Sequence, residues 1–383
     1  MIAKAYRDEF SYMNGRAYLD VSTMGMVPER SRRRARTYLD DFTMALGRSD
    51  ALSGRQIMQE AKQAVAALIH ASPEDVFLTR NTTEGNNLLA RGLPLAPGDE
   101  VIVCSGDFPA VYMPWTTRQA EGIRLTVVPG HDGVVDAEAL IAAISERTRV
   151  IALSLAQSSS GYVADILRLG AVCRQRGILL SVDAIQAMGR MPVYVDALPV
   201  DVLASGSFKG MLGVMGIGFC YVRHGVMPRI APAVVSGNID WSVYPMEKDF
   251  HALAVPSFPP DSRRMETGTG NVYGMAVMAE SLHMLSEIGL EAIQKQIRTV
   301  ESYYRQQLAA ACLPVHVLGS KEPATWSGTV SFTYDPRKKE ALSLALQEAE
   351  IYAAVRDIFR VSLHYYNTCD EIDRLMDVLS RVL

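Results

Sequence analysis

Residues Ser181–Arg223 read SVDAIQAMGRMPVYVDALPVDVLASGSFKGMLGVMGIGFCYVR and set an acid, an amide and a lysine near the ends of short apolar runs. The run Ile178–Val182 stops at Asp183, and the run Val200–Ala204 stops just before Ser205-Gly206-Ser207-Phe208-Lys209. Both have the length and the aliphatic, β-branched content of buried strands. Asp183 and Lys209 therefore fall at C-terminal strand ends, where open α/β sheets bind their ligands.

The residues after Lys209 narrow the chemistry. Gly210, Gly213, Gly216 and Gly218 favour irregular turns and close backbone approach over a helix, and the apolar run Ile217–Val222 follows at once. A lysine so placed is poorly hydrated. Loss of hydration lowers its pKa and makes it a usable Schiff-base amine. Pyridoxal phosphate needs such an amine, together with a carboxylate that keeps its ring nitrogen protonated. Asp183, 26 residues upstream of Lys209, fits that carboxylate.

On either side of this stretch the chain alternates between strand and helix patterns. Apolar runs at Val76–Thr79, Val101–Cys104, Leu125–Val128, Val150–Leu155, Ile178–Val182 and Val200–Ala204 are separated by helical segments. Such alternation predicts an α/β fold with a mostly parallel, helix-covered sheet. From Asn271 a long helical stretch runs to about Ala311. Strands near Thr329–Thr333 and Phe359–Leu363, a helix near Pro336–Glu348 and a last helix Asp370–Leu383 then predict a small C-terminal α/β domain. The expected organisation is an N-terminal segment 1–20 packing with the small domain, a large domain 21–270 and a small domain 271–383.

With 383 residues, 49% hydrophobic, and a net charge of −4, the chain is large enough for two globular domains and carries no basic excess for nucleic acid. Its one basic cluster, within Glu29–Asp41 (ERSRRRARTYLDD), is balanced by Glu29, Asp40 and Asp41 and reads as a solvated helix face. No apolar run reaches the roughly eighteen residues of a membrane span, and the N-terminus MIAKAYRDEF is too polar for a signal peptide, so a cytoplasmic protein is expected. Five cysteines, Cys104, Cys173, Cys220, Cys312 and Cys369, lack both disulfide-framework and metal-ligand spacing.

Other strand ends carry polar residues. Leu78–Gly85, LTRNTTEG, leaves a strand and enters a helix, so Thr82 and Thr83 lie at a helix N-terminus, which attracts phosphate. Gln157 follows the run Val150–Leu155, either capping its loop or facing the pocket. Arg360 sits between Phe359 and Val361 in a strand pattern, and its guanidinium fork suits a carboxylate.

Five ordered motifs make the chain resemble the class V aminotransferase family of pyridoxal-phosphate enzymes, which includes cysteine desulfurases, isopenicillin N epimerase-like proteins and kynureninase. They are Asn81-Thr82-Thr83-Glu84-Gly85, Asp183-Ala184-Ile185-Gln186, Lys209 with its glycines, Glu266-Thr267-Gly268-Thr269-Gly270-Asn271, and Arg360-Val361-Ser362 through Tyr366-Asn367-Thr368. The resemblance covers nearly the whole chain. It implies the fold type I of pyridoxal-phosphate-dependent transferases, with a seven-stranded type of large-domain sheet. It also implies that Thr82 and Thr83 hold the cofactor phosphate, that Gln186 bonds the phenolate oxygen, that Phe108 stacks on the ring, and that Arg360 grips the substrate α-carboxylate. Thr269 matches the residue through which a partner subunit completes the phosphate site, which implies a homodimer with shared active sites. Phe208 stands where many relatives have a histidine or tyrosine that bonds the phosphate, so Ser205 or Ser207 is expected to supply the donor.

Desulfurases place a nucleophilic cysteine shortly before the arginine, whereas Ile351–Phe359 here is short and has none. The expected reaction is therefore β-elimination on a cysteine S-conjugate, a carbon–sulfur lyase reaction, with freed Lys209 as base. Transamination or epimerisation would use the same residues on a substrate without a leaving group. Desulfuration would need a mobile cysteine. The loop Ser236–Pro260, with Trp241, Tyr244, Phe250 and Phe258, is expected to cover a bulky substrate side chain or to lie in the dimer interface.

Overall fold

The computed structural model describes residues 2, 4–44, 54–240, 257–268 and 270–383. Along the chain, α1 (Lys4–Asp8), β1 (Ala17–Tyr18), α2 (Glu29–Met44) and α3 (Gly54–Ile69) precede an alternating series. That series is β2 (Val76–Thr79), α4 (Thr82–Gly92), β3 (Glu100–Cys104), α5 (Pro109–Thr116), β4 (Arg124–Val128), α6 (Ala137–Ala142), β5 (Thr148–Ser154), α7 (Ile166–Arg176), β6 (Leu179–Asp183), β7 (Val202–Gly206) and β8 (Gly218–Val222). The strands form one seven-stranded sheet in the order β2-β8-β7-β6-β5-β3-β4.

Within it β8 runs antiparallel to β2 and β7, and every other pairing is parallel. Since β2 and β7 both oppose β8, they run in one direction, and the C-terminal ends of β2, β3, β5, β6 and β7 share an edge. Side chains alternate between two cores. Val101, Val103, Leu179, Val202 and Ala204 face one layer with Leu89, Val111 and Trp115 of α4 and α5, while Ile102, Leu180, Val182 and Leu203 face the other. Strands buried on both faces need near-continuous apolar sequence, which is what made these runs legible.

The C-terminal part begins with α8 (Val272–Ile288) and α9 (Leu290–Ala311). The chain breaks between them at Gly289, whose φ of +85° favours glycine. Helix α8 packs on α2 and α3, whereas α9 packs on the last helix, α11, introduced below. Next come β9 (His316–Val317), β10 (Thr329–Thr333), α10 (Lys339–Glu348), β11 (Ile351–Tyr352), β12 (Ala354–Val355), β13 (Phe359–Ser362) and α11 (Cys369–Val382). Four strands form a sheet in the order β12-β13-β10-β9, and β1 pairs in parallel with β11.

Register matters most in β13. Phe359 lies opposite Phe332 of β10, both wholly buried, with ring centroids 4.9 Å apart. Each buried ring contributes about 1.5–3 kcal/mol, and a one-residue slip would expose both. That lock sends Arg360 to the opposite face, towards Ser158, Asp20 and Thr23. Of the basic cluster on α2, Arg32 and Arg36 pair with Glu29, while Arg30 and Arg34 reach Glu280, Glu287 and Glu60 instead of Asp40 and Asp41.

Candidate active site

Asp183 is the last residue of β6, and Lys209 follows β7 in a turn closed by hydrogen bonds from Leu212 N to Lys209 O and from Gly213 N to Ser207 O. Lys209 Nζ stands 5.7 Å from the ring centroids of both Phe108 and Phe208. Burial pushes this amine down to about 8, against the opposing pull of Asp183. The Asp183 carboxyl is buried beside Asp107 and is pushed up to about 7, burial being the largest cause, while the Ile185 N–H donated to its Oδ1 at 3.0 Å opposes the shift. A depressed amine and an elevated acid acting on each other at a sheet edge are a functional signature.

The N-terminus of α4 opens at the same edge. Asn81 caps it by accepting from Glu84 N, and Thr82 is buried with its Oγ1 accepting from Gly206 N at 2.8 Å. Thr83, one residue on, is exposed. Gly85 lets the helix close on β7, since a Cβ there would meet Ala204 Cβ at 3.1 Å. Ser205 Oγ donates to Gly206 O and Ser207 Oγ to Val214 O, so both hydroxyls hold the Lys209 turn together.

Gln186 lies three residues past Asp183 and is buried, its Nε2 donating to Ser22 O while its Oε1 has no partner. Gln157, buried past β5, has an unpartnered Nε2. Arg360 donates from Nη1 to Ser158 O at 2.9 Å and from Nη2 to Thr23 Oγ1 at 2.7 Å and Asp20 Oδ1 at 3.3 Å, leaving Nε buried and orphaned. Its charge also helps depress Lys209. Thr269 lies outside the described residues, as do Trp241, Tyr244 and Phe250, and Phe258 is half-buried.

Several residues here escaped the sequence reading. Asp107 precedes Phe108 and is buried, accepting from Phe108 N, Ser154 N and Ser154 Oγ. Asn86 donates to Ala110 O and helps hold the Asp183 charge. Asp20 and Thr23 seat Arg360. An acid directly before Phe108 was the one local signal available; the rest depend on contacts distant in sequence.

These groups fit pyridoxal phosphate. An amine near two aromatic rings, a buried acid at a strand end and the unpartnered Nε2 donor of Gln157 match an aldehyde, a pyridine nitrogen and the phenolate oxygen. Lys209 would hold the aldehyde carbon, Asp183 the ring nitrogen and the start of α4 the phosphate.

The family model described as aminotransferase class-V matches residues 17–375. A probable cysteine desulfurase of Methanothermobacter thermautotrophicus is 27% identical over 98% of this chain and 97% of its own length. Isopenicillin N epimerase of Streptomyces clavuligerus is 28% identical over 84% of each chain. Among solved structures, the cystine C–S lyase C-DES in complex with its reaction product cysteine persulfide superposes with a TM-score of 0.86, at 23% identity, covering 97% of this chain and 99% of that one.

Proposed function

The chain belongs to the class-V aminotransferase family, and from that premise we propose that it eliminates a thiol from the β-carbon of a cysteine S-conjugate. It is a pyridoxal 5′-phosphate-dependent enzyme of fold type I. The bound cofactor supplies a conjugated ring that accepts the electron pair left when the α-proton departs. Arg360 binds the substrate carboxylate, which replaces Asp20 as its partner and turns the α-carbon towards Lys209. Lys209 Nζ, near neutrality at about 8, takes the α-proton. Asp183 keeps the ring nitrogen protonated, and Phe108 holds the ring face.

The observation that carries the reading is the hairpin before Arg360. Strands β12 and β13 are joined by Arg356, Asp357 and Ile358 alone, closed by Arg356 N donating to Ile358 O at 3.1 Å. That turn holds no cysteine. Cys104, the cysteine closest in sequence to Phe108, is buried and pushed up to about 11 by burial and Asp107, which leaves it protonated. Cys312 ends α9 and Cys369 starts α11. The sulfur therefore leaves on the product, with no enzyme thiol to receive it.

We read the active unit as a homodimer. Exposed Phe42 of α2 and exposed Tyr273 of α8 both contact the Tyr38 ring, and exposed Leu39 follows Tyr38 in the same helix. Such a paired-helix apolar patch suits a second copy.

The test is a panel of amino acids including S-substituted cysteines. Thiol, keto acid and ammonia should appear in equal amounts, and Lys209→Ala should abolish all three. Keto acid without ammonia would make the protein an aminotransferase; an inverted α-carbon would make it an epimerase.

A further inference from the structure

We propose that Asp107 is a second carboxylate of the cofactor site, a positioning residue that acts through Asp183 and Phe108. The inference rests on the pyridoxal-phosphate reading above. Asp107 lies in the loop after β3, on the edge shared with Asp183, and is 5% exposed. Its Oδ1 accepts from Phe108 N at 2.7 Å and from Ser154 Oγ at 2.5 Å, and its Oδ2 accepts from Ser154 N at 2.8 Å.

Burial pushes the Asp107 carboxyl up, and the three donors aimed at it oppose that shift and favour its ionised form. Ser154 ends β5 directly opposite Asp183 in the parallel register, so the bonds that fix Asp107 also fix its place beside that acid. At Asp183 the charge of Asp107 outweighs that of Lys209. Asp107 therefore does two things. It clamps the backbone of Phe108, whose ring flanks Lys209 Nζ. It also adds negative potential where Asp183 meets the ring nitrogen, so a protonated nitrogen there relieves the repulsion between two buried acids.

Asn86 and Gln157 are the neutral neighbours of this pair, and Lys209 is the cation that acts on it. Both oxygens of Asp107 are already engaged by these donors, which makes its role indirect.

The experiment compares unsubstituted protein, Asp107→Asn and Ser154→Ala, each loaded with pyridoxal 5′-phosphate labelled with 15N in the ring. Asp107→Asn should move the ring-nitrogen resonance towards the unprotonated value and raise the cofactor Kd about tenfold, the equivalent of one pKa unit. Ser154→Ala keeps the carboxyl but removes one donor, and should shift both readouts in the same direction by a smaller factor with the circular-dichroism spectrum unchanged. Should Asp107→Asn fail to fold, the Ser154→Ala shift decides the matter. A lowered melting temperature in either variant with an unmoved nitrogen resonance would overturn the inference and leave Asp107 a structural acid. Absence of a lysine-linked absorption band in the unsubstituted protein would overturn the cofactor reading itself, and with it the role given to Asp107.

Discussion

Lys209 must be neutral to condense with an aldehyde, and its burial takes it most of the way there. With the amine at about 8, roughly one-tenth of it is neutral at pH 7, on the order of a few hundred times more than for an ordinary lysine. The rate at which cofactor-free protein regains its absorption band should therefore rise about tenfold per unit below pH 8 and level off above it. A rate that kept climbing to pH 10 would show an amine still hydrated. Asp183, Lys209 and Arg360 stand out in sequence because each follows or interrupts an apolar run and carries a group that the expected chemistry demands, and the structure brings Asp183 and Lys209 to one sheet edge. Asp107 and Asp20 were not, because their meaning lies in partners 47 and 340 residues away, Ser154 and Arg360.

At the scale of elements, the segment that follows β1 lies on the turn that carries the lysine. Gly25 N donates to Phe208 O at 2.7 Å, and a Cβ on Gly25 would stand 2.1 Å from Lys209 O. Gly25→Ala should therefore displace Lys209 itself. The expected result is a loss of about 1–3 kcal/mol in thermal unfolding, as for other overpacked sites, together with a shifted cofactor absorption band. An unshifted band would mean that the N-terminal segment yields instead of the turn. Apart from the half-exposed edge strand β4, the strands of the large sheet were readable as continuous apolar runs because both faces are buried. The direction of β8 was not, since a run carries no record of its neighbours. The stretch 271–311 reads as one helical pattern, and only the backbone of Gly289, with φ of +85°, shows where it divides.

For the whole molecule, buried polar contacts of Arg190 and His364 cross the junction of the two parts, and these bear on how the protein responds to acid. Arg190, between β6 and β7, donates to Leu363 O and to Thr329 Oγ1 of the C-terminal part. Four residues after Arg360, His364 accepts from Tyr365 N at Nδ1, which leaves the proton on Nε2 to donate to Gly210 O at 2.9 Å. One imidazole thus ties the strand end that bears Arg360 to the turn that bears Lys209. Burial, with Arg190 adding to it, pushes His364 down to about 3, while the Gly210 carbonyl opposes the shift and the Tyr366 ring stacks on one face. Between that value and the unfolded value near 6.5, the unfolded chain holds a proton that the folded chain refuses, so stability is lost as pH falls. Asp183, pushed up to about 7, works in the opposite sense over much of the same range, as does buried Glu301, also pushed up. The His364 contribution is therefore read as a difference. His364→Gln, which retains a donor for Gly210 O, should be less stable than the unsubstituted protein at pH 7.5, and the gap should narrow by about 2 kcal/mol between pH 6.5 and 5. A gap independent of pH in denaturant melts would show that below pH 6.5 the folded protein takes up the His364 proton as readily as the unfolded chain does. In that case the junction would hold two buried cations, Arg190 and His364, in place of one.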